Sequence, residues 1–146
     1  MSLRPEEIDH INTVAWFEEE FPELAEDFHH FANERRCSVM EGRKLKRMGV
    51  RKGVLDFFLA VPSSGYHGLW VELKVNKGKL TPEQIAFIER KNARGYLALA
   101  VWGHDAAKEA ILCYLKDYIT SSSTDTPKNL YNNRPICQYK FCPHQY

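Results

Sequence analysis

Residues 49–79, GVRKGVLDFFLAVPSSGYHGLWVELKVNKGK, restrict the possible folds more than any other part of this chain. Two apolar runs, residues 56–61 and 69–75, flank PSSGYHG, a seven-residue connection with two Gly and one Pro. That composition marks a loop between strands, and the simplest arrangement is an antiparallel hairpin. Strand side chains alternate between faces. Leu69, Val71, Leu73 and Val75 therefore share an apolar face, and Trp70, Glu72 and Lys74 share the other. Asp56 opens the first strand and lies beside Glu72 near the end of the second.

Two carboxylates this close repel, and one would be pushed to a higher pKa. A divalent cation between them removes the conflict, and hard oxygen donors on a sheet suit Mg²⁺ or Mn²⁺. Lys74, on the same face as Glu72, can reach a metal-bound water or a phosphate oxygen. These are the parts for metal-assisted phosphodiester hydrolysis. Taken alone, the same residues also fit a strand-start Asp and the solvated face of an edge strand.

The ordered set of motifs resembles the VRR-NUC branch of the PD-(D/E)XK nuclease superfamily, in particular its small stand-alone, phage-type members. The matching pieces are Gly49 to Asp56, Tyr66 to Lys74, Thr81-Pro82-Glu83-Gln84 and Gly95-Tyr96, within a resemblance that covers roughly residues 6–119. Leu55 stands where that family usually has Pro. The resemblance implies a restriction-endonuclease-like α/β core, a mixed central sheet flanked by helices. It implies Asp56 and Glu72 as metal ligands, supported by the Leu73 main-chain carbonyl and a carboxylate on the first helix. In the related pattern that carboxylate precedes a Gln by four residues. His10 occupies the Gln-like place, which points to Glu6, with Glu7 next. The resemblance also implies that Lys74 and the ion activate a water for in-line attack. The expected substrate is branched DNA, four-way junctions included, cut by a homodimer with two identical sites. A flap, nick or duplex nuclease of the same fold, and a non-catalytic DNA-binding module, are the competing readings.

The chain of 146 residues fits one domain, residues 1–119, followed by a linker and tail over 120–146. No run approaches the roughly 20 apolar residues of a membrane span. The start of the chain lacks a signal-peptide pattern, and four cysteines show no close pairing. A reduced, cytoplasmic setting, in a bacterial or phage-infected cell, is the expectation.

A net charge of +1 hides an asymmetry: residues 1–34 carry ten acids against Arg4, and residues 35–52 carry eight bases against Glu41. A basic block just before the acid pair suits a phosphate backbone. Arg36, Arg51 and Lys52 are the expected phosphate contacts. The same block also fits a solvated helix face that balances the acidic N-terminus.

The first helix is expected over residues 4–20, with Ile8, Ile11, Ala15 and Trp16 at helical spacing. Residues 27–32 are a strand candidate. His29 and His30, being adjacent, face opposite sides of a strand, chelate poorly and include at least one packing residue. A basic helix follows over 38–48, with Val39, Leu45 and Met48 as its apolar contacts and Gly49 as its stop. Thr81 caps the next helix, with Pro82 in its first position. Gln84 is either a capping-box partner or, as the resemblance implies, an active-site residue. Residues 96–102 form a strand buried on both faces. The last helix spans 105–118, packing through Ala106, Ile111, Leu112, Leu115 and Ile119. In the tail, Cys137, Cys142 and His144 lack the spacing and the fourth ligand of a zinc site.

Overall fold

The computed structural model describes residues 2–31 and 38–122. The element order is α1 (Pro5–Glu20), a 3-10 helix (Pro22–Asp27), β1 (Phe28–His30), α2 (Val39–Arg47), β2 (Phe57–Leu59), β3 (Leu69–Lys74), α3 (Pro82–Asn92), β4 (Leu97–Trp102), α4 (His104–Tyr114) and α5 (Lys116–Ser122). The strands form one sheet in the order β1-β2-β3-β4. The β1–β2 and β2–β3 pairs are antiparallel, and β3–β4 is parallel. Helix α3 makes the crossover that a parallel pair requires. No described helix is long and apolar enough to cross a membrane.

Alternation along β3 sorts the core into two layers. Leu69, Val71 and Leu73 pack with Phe57, Leu59, Phe17 of α1 and Ile111 of α4. On the opposite face Trp70 packs with Leu55, Ala98 and the α3 residues Phe87 and Ile88. The central strand is thus covered on both sides, as a strand that pairs in parallel usually is. Tyr114 ties the hairpin loop to α4. Its buried hydroxyl donates to the Val61 carbonyl and accepts from the Ser63 N–H.

Several expectations shift. In α1 the inward stripe is His10, Thr13 and Phe17, while Ile8 and Ile11 are 42% and 52% exposed. Two of the three inward residues are polar; of the expected apolar stripe, Trp16 packs against the core with Val14 beside it, and Ala15 is exposed like Ile8 and Ile11. Thr13 is accommodated because its hydroxyl donates to the Asp9 carbonyl and meets Nδ1 of His104. The strand over 27–32 is shorter, because Asp27 closes the 3-10 helix. Helix α2 buries no residue. Val39 and Met48, expected as its contacts, are exposed, and only Leu45 is half-buried. The last helix divides at Leu115. The Tyr114 carbonyl there accepts the Ser64 hydroxyl at 2.8 Å, where an unbroken helix would offer it to the next turn. Ile111 and Leu115 are buried as expected, whereas Leu112 and Ile119 are exposed. Arg36, and the tail with Cys137, Cys142 and His144, lie outside the described residues.

Candidate active site

The site forms where β2 stops and β3 continues. Phe57 pairs with Val71, so the same register sets Asp56 against Glu72. Beyond Phe57 the ladder ends, and the Leu73 N–H is left without a main-chain acceptor on that side. The Asp56 carboxylate takes its place, with Oδ2 accepting from Leu73 N at 2.9 Å. The N–H and C=O of one strand residue point the same way. The Leu73 carbonyl therefore also faces this opening, on the side where the resemblance implies a main-chain metal donor.

Glu72 is 2% exposed. Its Oε1 is held from two sides. Lys74 Nζ lies 2.7 Å away, and Gln84 Nε2 donates to the same oxygen. Its Oε2 is buried with no hydrogen-bond partner. Burial, reinforced by the negative charge of Asp56, raises the Glu72 pKa, while Lys74 and Gln84 pull it back only in part. A buried acceptor with nothing to accept is a costly arrangement in a native structure.

Gln84 forms the expected capping box and also reaches Glu72. Its Oε1 accepts from the Thr81 N–H at 2.9 Å, and the Thr81 hydroxyl accepts from Gln84 N at 3.2 Å. That reciprocal pair fixes the start of α3 and leaves the amide Nε2 for Glu72.

On α1 the two candidate carboxylates separate. Glu7 completes a capping arrangement, accepting from the Arg4 N–H at 2.7 Å and pairing with the Arg4 guanidinium at 3.1 Å. Those bonds hold its pKa below the usual range. Glu6, one turn before His10, is half-buried, and its charge reaches the His10 ring.

His10 is the residue whose place in the site sequence reasoning left undefined. Its Nε2 is 3.6 Å from Asp56 Oδ2 and is buried without a hydrogen-bond partner. Burial disfavours the imidazolium, but Asp56, Glu6 and the Leu73 main chain more than offset it, leaving the pKa raised. The available signal was spacing: His10 stands three residues before Thr13 and seven before Phe17, on the stripe that faces the sheet. His30 packs its ring against His10 and Phe57, each at 5.0 Å, the packing role expected of one of the pair. Burial, then the neighbouring His10, lowers its pKa.

Of the expected phosphate contacts, Arg51 and Lys52 are exposed on the loop between α2 and β2. Gly53 presses that loop onto the start of α3, where an added Cβ would lie 2.5 Å from the Glu83 carbonyl carbon. Both cations therefore border the end of α3 that carries Gln84.

The donor set fits a hard divalent ion. Glu72 Oε2 is an orphaned buried acceptor, Asp56 adds a second carboxylate, and the Leu73 carbonyl is freed from the ladder. Among the described residues no three His, Cys, Asp or Glu side chains close around one point. A cation here would complete its shell with the main-chain oxygen, water and phosphate, as Mg²⁺ commonly does.

No family model matches the sequence, and no curated protein does. Among solved structures, one titled "VRR_NUC domain protein" superposes with a TM-score of 0.69 at 27% identity, over 80% of this chain and 93% of that one. The fold, a mixed four-stranded sheet between helices with paired carboxylates at its open end, is that of a nuclease-type α/β domain. The likeness spans nearly the whole of the other chain and supports placing this one in the VRR-NUC family.

Proposed function

We propose that the chain is a metal-dependent, structure-selective DNA endonuclease that hydrolyses phosphodiester bonds in branched DNA such as four-way junctions. The observation that carries this reading is Glu72: buried, unpartnered at Oε2, raised in pKa by burial and Asp56, and held at Oε1 by Lys74 and Gln84. Asp56 and Glu72 hold Mg²⁺ or Mn²⁺, with the Leu73 carbonyl and Glu6 in support. Such an ion, when bound, polarises the phosphate and lowers the pKa of a coordinated water. Lys74 presents its ammonium to a phosphate oxygen or to the attacking water. Gln84 and Lys74 fix the Glu72 carboxylate through Oε1 and leave Oε2 for the ion. Arg51 and Lys52, with Arg36, grip the sugar-phosphate backbone by charge, a mode that positions DNA without reading sequence. A homodimer would present two such sites to the two halves of a symmetric junction.

The test is cleavage of a synthetic four-way junction and a matched linear duplex in Mg²⁺, Mn²⁺ or EDTA, by wild type and Lys74→Ala. Paired cuts in the junction, abolished by EDTA and reduced about 10²-fold or more in Lys74→Ala, are expected. Metal-dependent cuts confined to duplex, nick or flap substrates would keep the active site and overturn the junction. Binding without cleavage of any substrate would turn the reading to a non-catalytic DNA-binding module.

A further inference from the structure

We propose that His10 Nε2 is a ligand of the same cation as Asp56, which makes this an imidazole–carboxylate site that favours a transition-metal dication over Mg²⁺. The inference rests on the divalent-cation reading of the site and deepens it.

Three observations converge on Nε2. It is buried and has no hydrogen-bond partner. It faces Asp56 Oδ2 at 3.6 Å, beyond hydrogen-bond length. With metal–nitrogen and metal–oxygen bonds of about 2.0–2.2 Å, two donor atoms at that separation can share one ion. The ring is also held in place, edge-on to His30 at 5.0 Å and to Phe57 at 5.2 Å. His10 therefore has a fixed direction before any ion arrives, as an effective metal ligand needs. The Leu73 N–H donates to the same Asp56 oxygen, and the Leu73 carbonyl points from that same edge of β3.

An imidazole in the shell changes the selectivity. Mg²⁺ prefers an all-oxygen octahedron. Nitrogen donors strengthen binding along the first-row series, with Mn²⁺ weakest and Co²⁺ tighter. A side chain with only oxygen to offer at position 10 would return the site to Mg²⁺ chemistry.

The experiment is direct metal binding by the full chain, without DNA. Wild type, His10→Gln, His10→Asn and Asp56→Asn are titrated with Co²⁺, read by its visible absorption, and with Mg²⁺, read by calorimetry. Nitrogen coupling to bound Mn²⁺ is recorded by pulsed electron paramagnetic resonance. Wild type should bind Co²⁺ well ahead of Mg²⁺ and show histidine nitrogen coupling. Both His10 variants should lose about tenfold or more in Co²⁺ affinity, a loss that even outer-shell changes produce. They should also lose the coupling, while Mg²⁺ affinity changes by less than about threefold. Unchanged Co²⁺ affinity and retained coupling in the His10 variants would overturn the inference, and loss of binding in Asp56→Asn would then leave the metal-site reading standing. Binding unaffected by Asp56→Asn would overturn both.

Discussion

The two ends of the Gln84 amide do separate work. The oxygen closes the capping box of α3 and the nitrogen holds Glu72, so one residue ties the start of a helix to the acid on the strand. The two jobs can be separated by substitution. Gln84→Glu keeps an acceptor for the Thr81 N–H but removes the donor to Glu72 and sets a third carboxylate beside the pair. Its thermal stability should stay near wild type in the presence of metal, while cleavage falls by about 10²-fold. Thr81→Ala should do the reverse, costing about 1 kcal/mol of stability by urea unfolding and leaving cleavage within a few-fold. Equal loss of activity in both variants would mean that Gln84 acts only through the helix start. His10 makes the complementary point. Its chemistry became legible only when the fold set Nε2 against Asp56, because helical periodicity had picked out Ile8 and Ile11, which face solvent.

Among the elements, the hairpin was the most legible. Its register follows from alternation and one loop, and β3 carries Leu69, Val71 and Leu73 on one face with Trp70 and Glu72 on the other. The acid pair followed from that register. The helices were less legible because their inward residues are mixed in character: Thr13 is buried through its bonds to Asp9 and His104, and α2 has no buried face to detect. The break at Leu115 depends on a Ser64–Tyr114 bond between distant parts of the chain, which no local pattern encodes. Loop 51–55 gives a sharper test of how elements position the site. Gly53 has φ +79 and no room for a Cβ, whereas Gly49 has φ +92 and open space around it. Gly49→Ala should therefore cost about 1 kcal/mol, the left-handed penalty alone. Gly53→Ala should cost about 2–4 kcal/mol, because overpacking adds to that penalty, and should weaken DNA binding by moving Arg51 and Lys52. Urea midpoints for the two variants compare the costs directly, and equal values would show that the loop does not bear on α3.

Charge organises the molecule as a whole. The acids gather in the N-terminal stretch and the bases follow. On α2, Arg43, Lys44 and Arg47 line a shallow concavity of about 520 Å³ with Met40 and Met48. If Arg51 and Lys52 each neutralise a phosphate, replacing both with Ser should flatten the salt dependence of DNA affinity by nearly 2 units of log Kd per log salt. A parallel shift with unchanged slope would remove them from the backbone contact. Glu72 and His10 also set how stability responds to pH. The Glu72 pKa is raised above 4.5, and the His10 pKa above 6.5. In each window above those values the folded chain holds more protons than the unfolded one, so unfolding becomes easier as pH rises. His30, lowered by burial and by His10, acts in the opposite direction, but only below 6.5. In EDTA, then, the melting temperature should fall as pH rises above 6.5. Saturating Mn²⁺ should reverse the fall, because a cation stabilises the deprotonated donors and its binding adds to folding free energy. In His10→Gln the fall above 6.5 should flatten in EDTA. Thermal melts across pH, with and without Mn²⁺, test this, and a flat or rising profile in EDTA would show that the raised groups are relieved by contacts inside the protein without a cation.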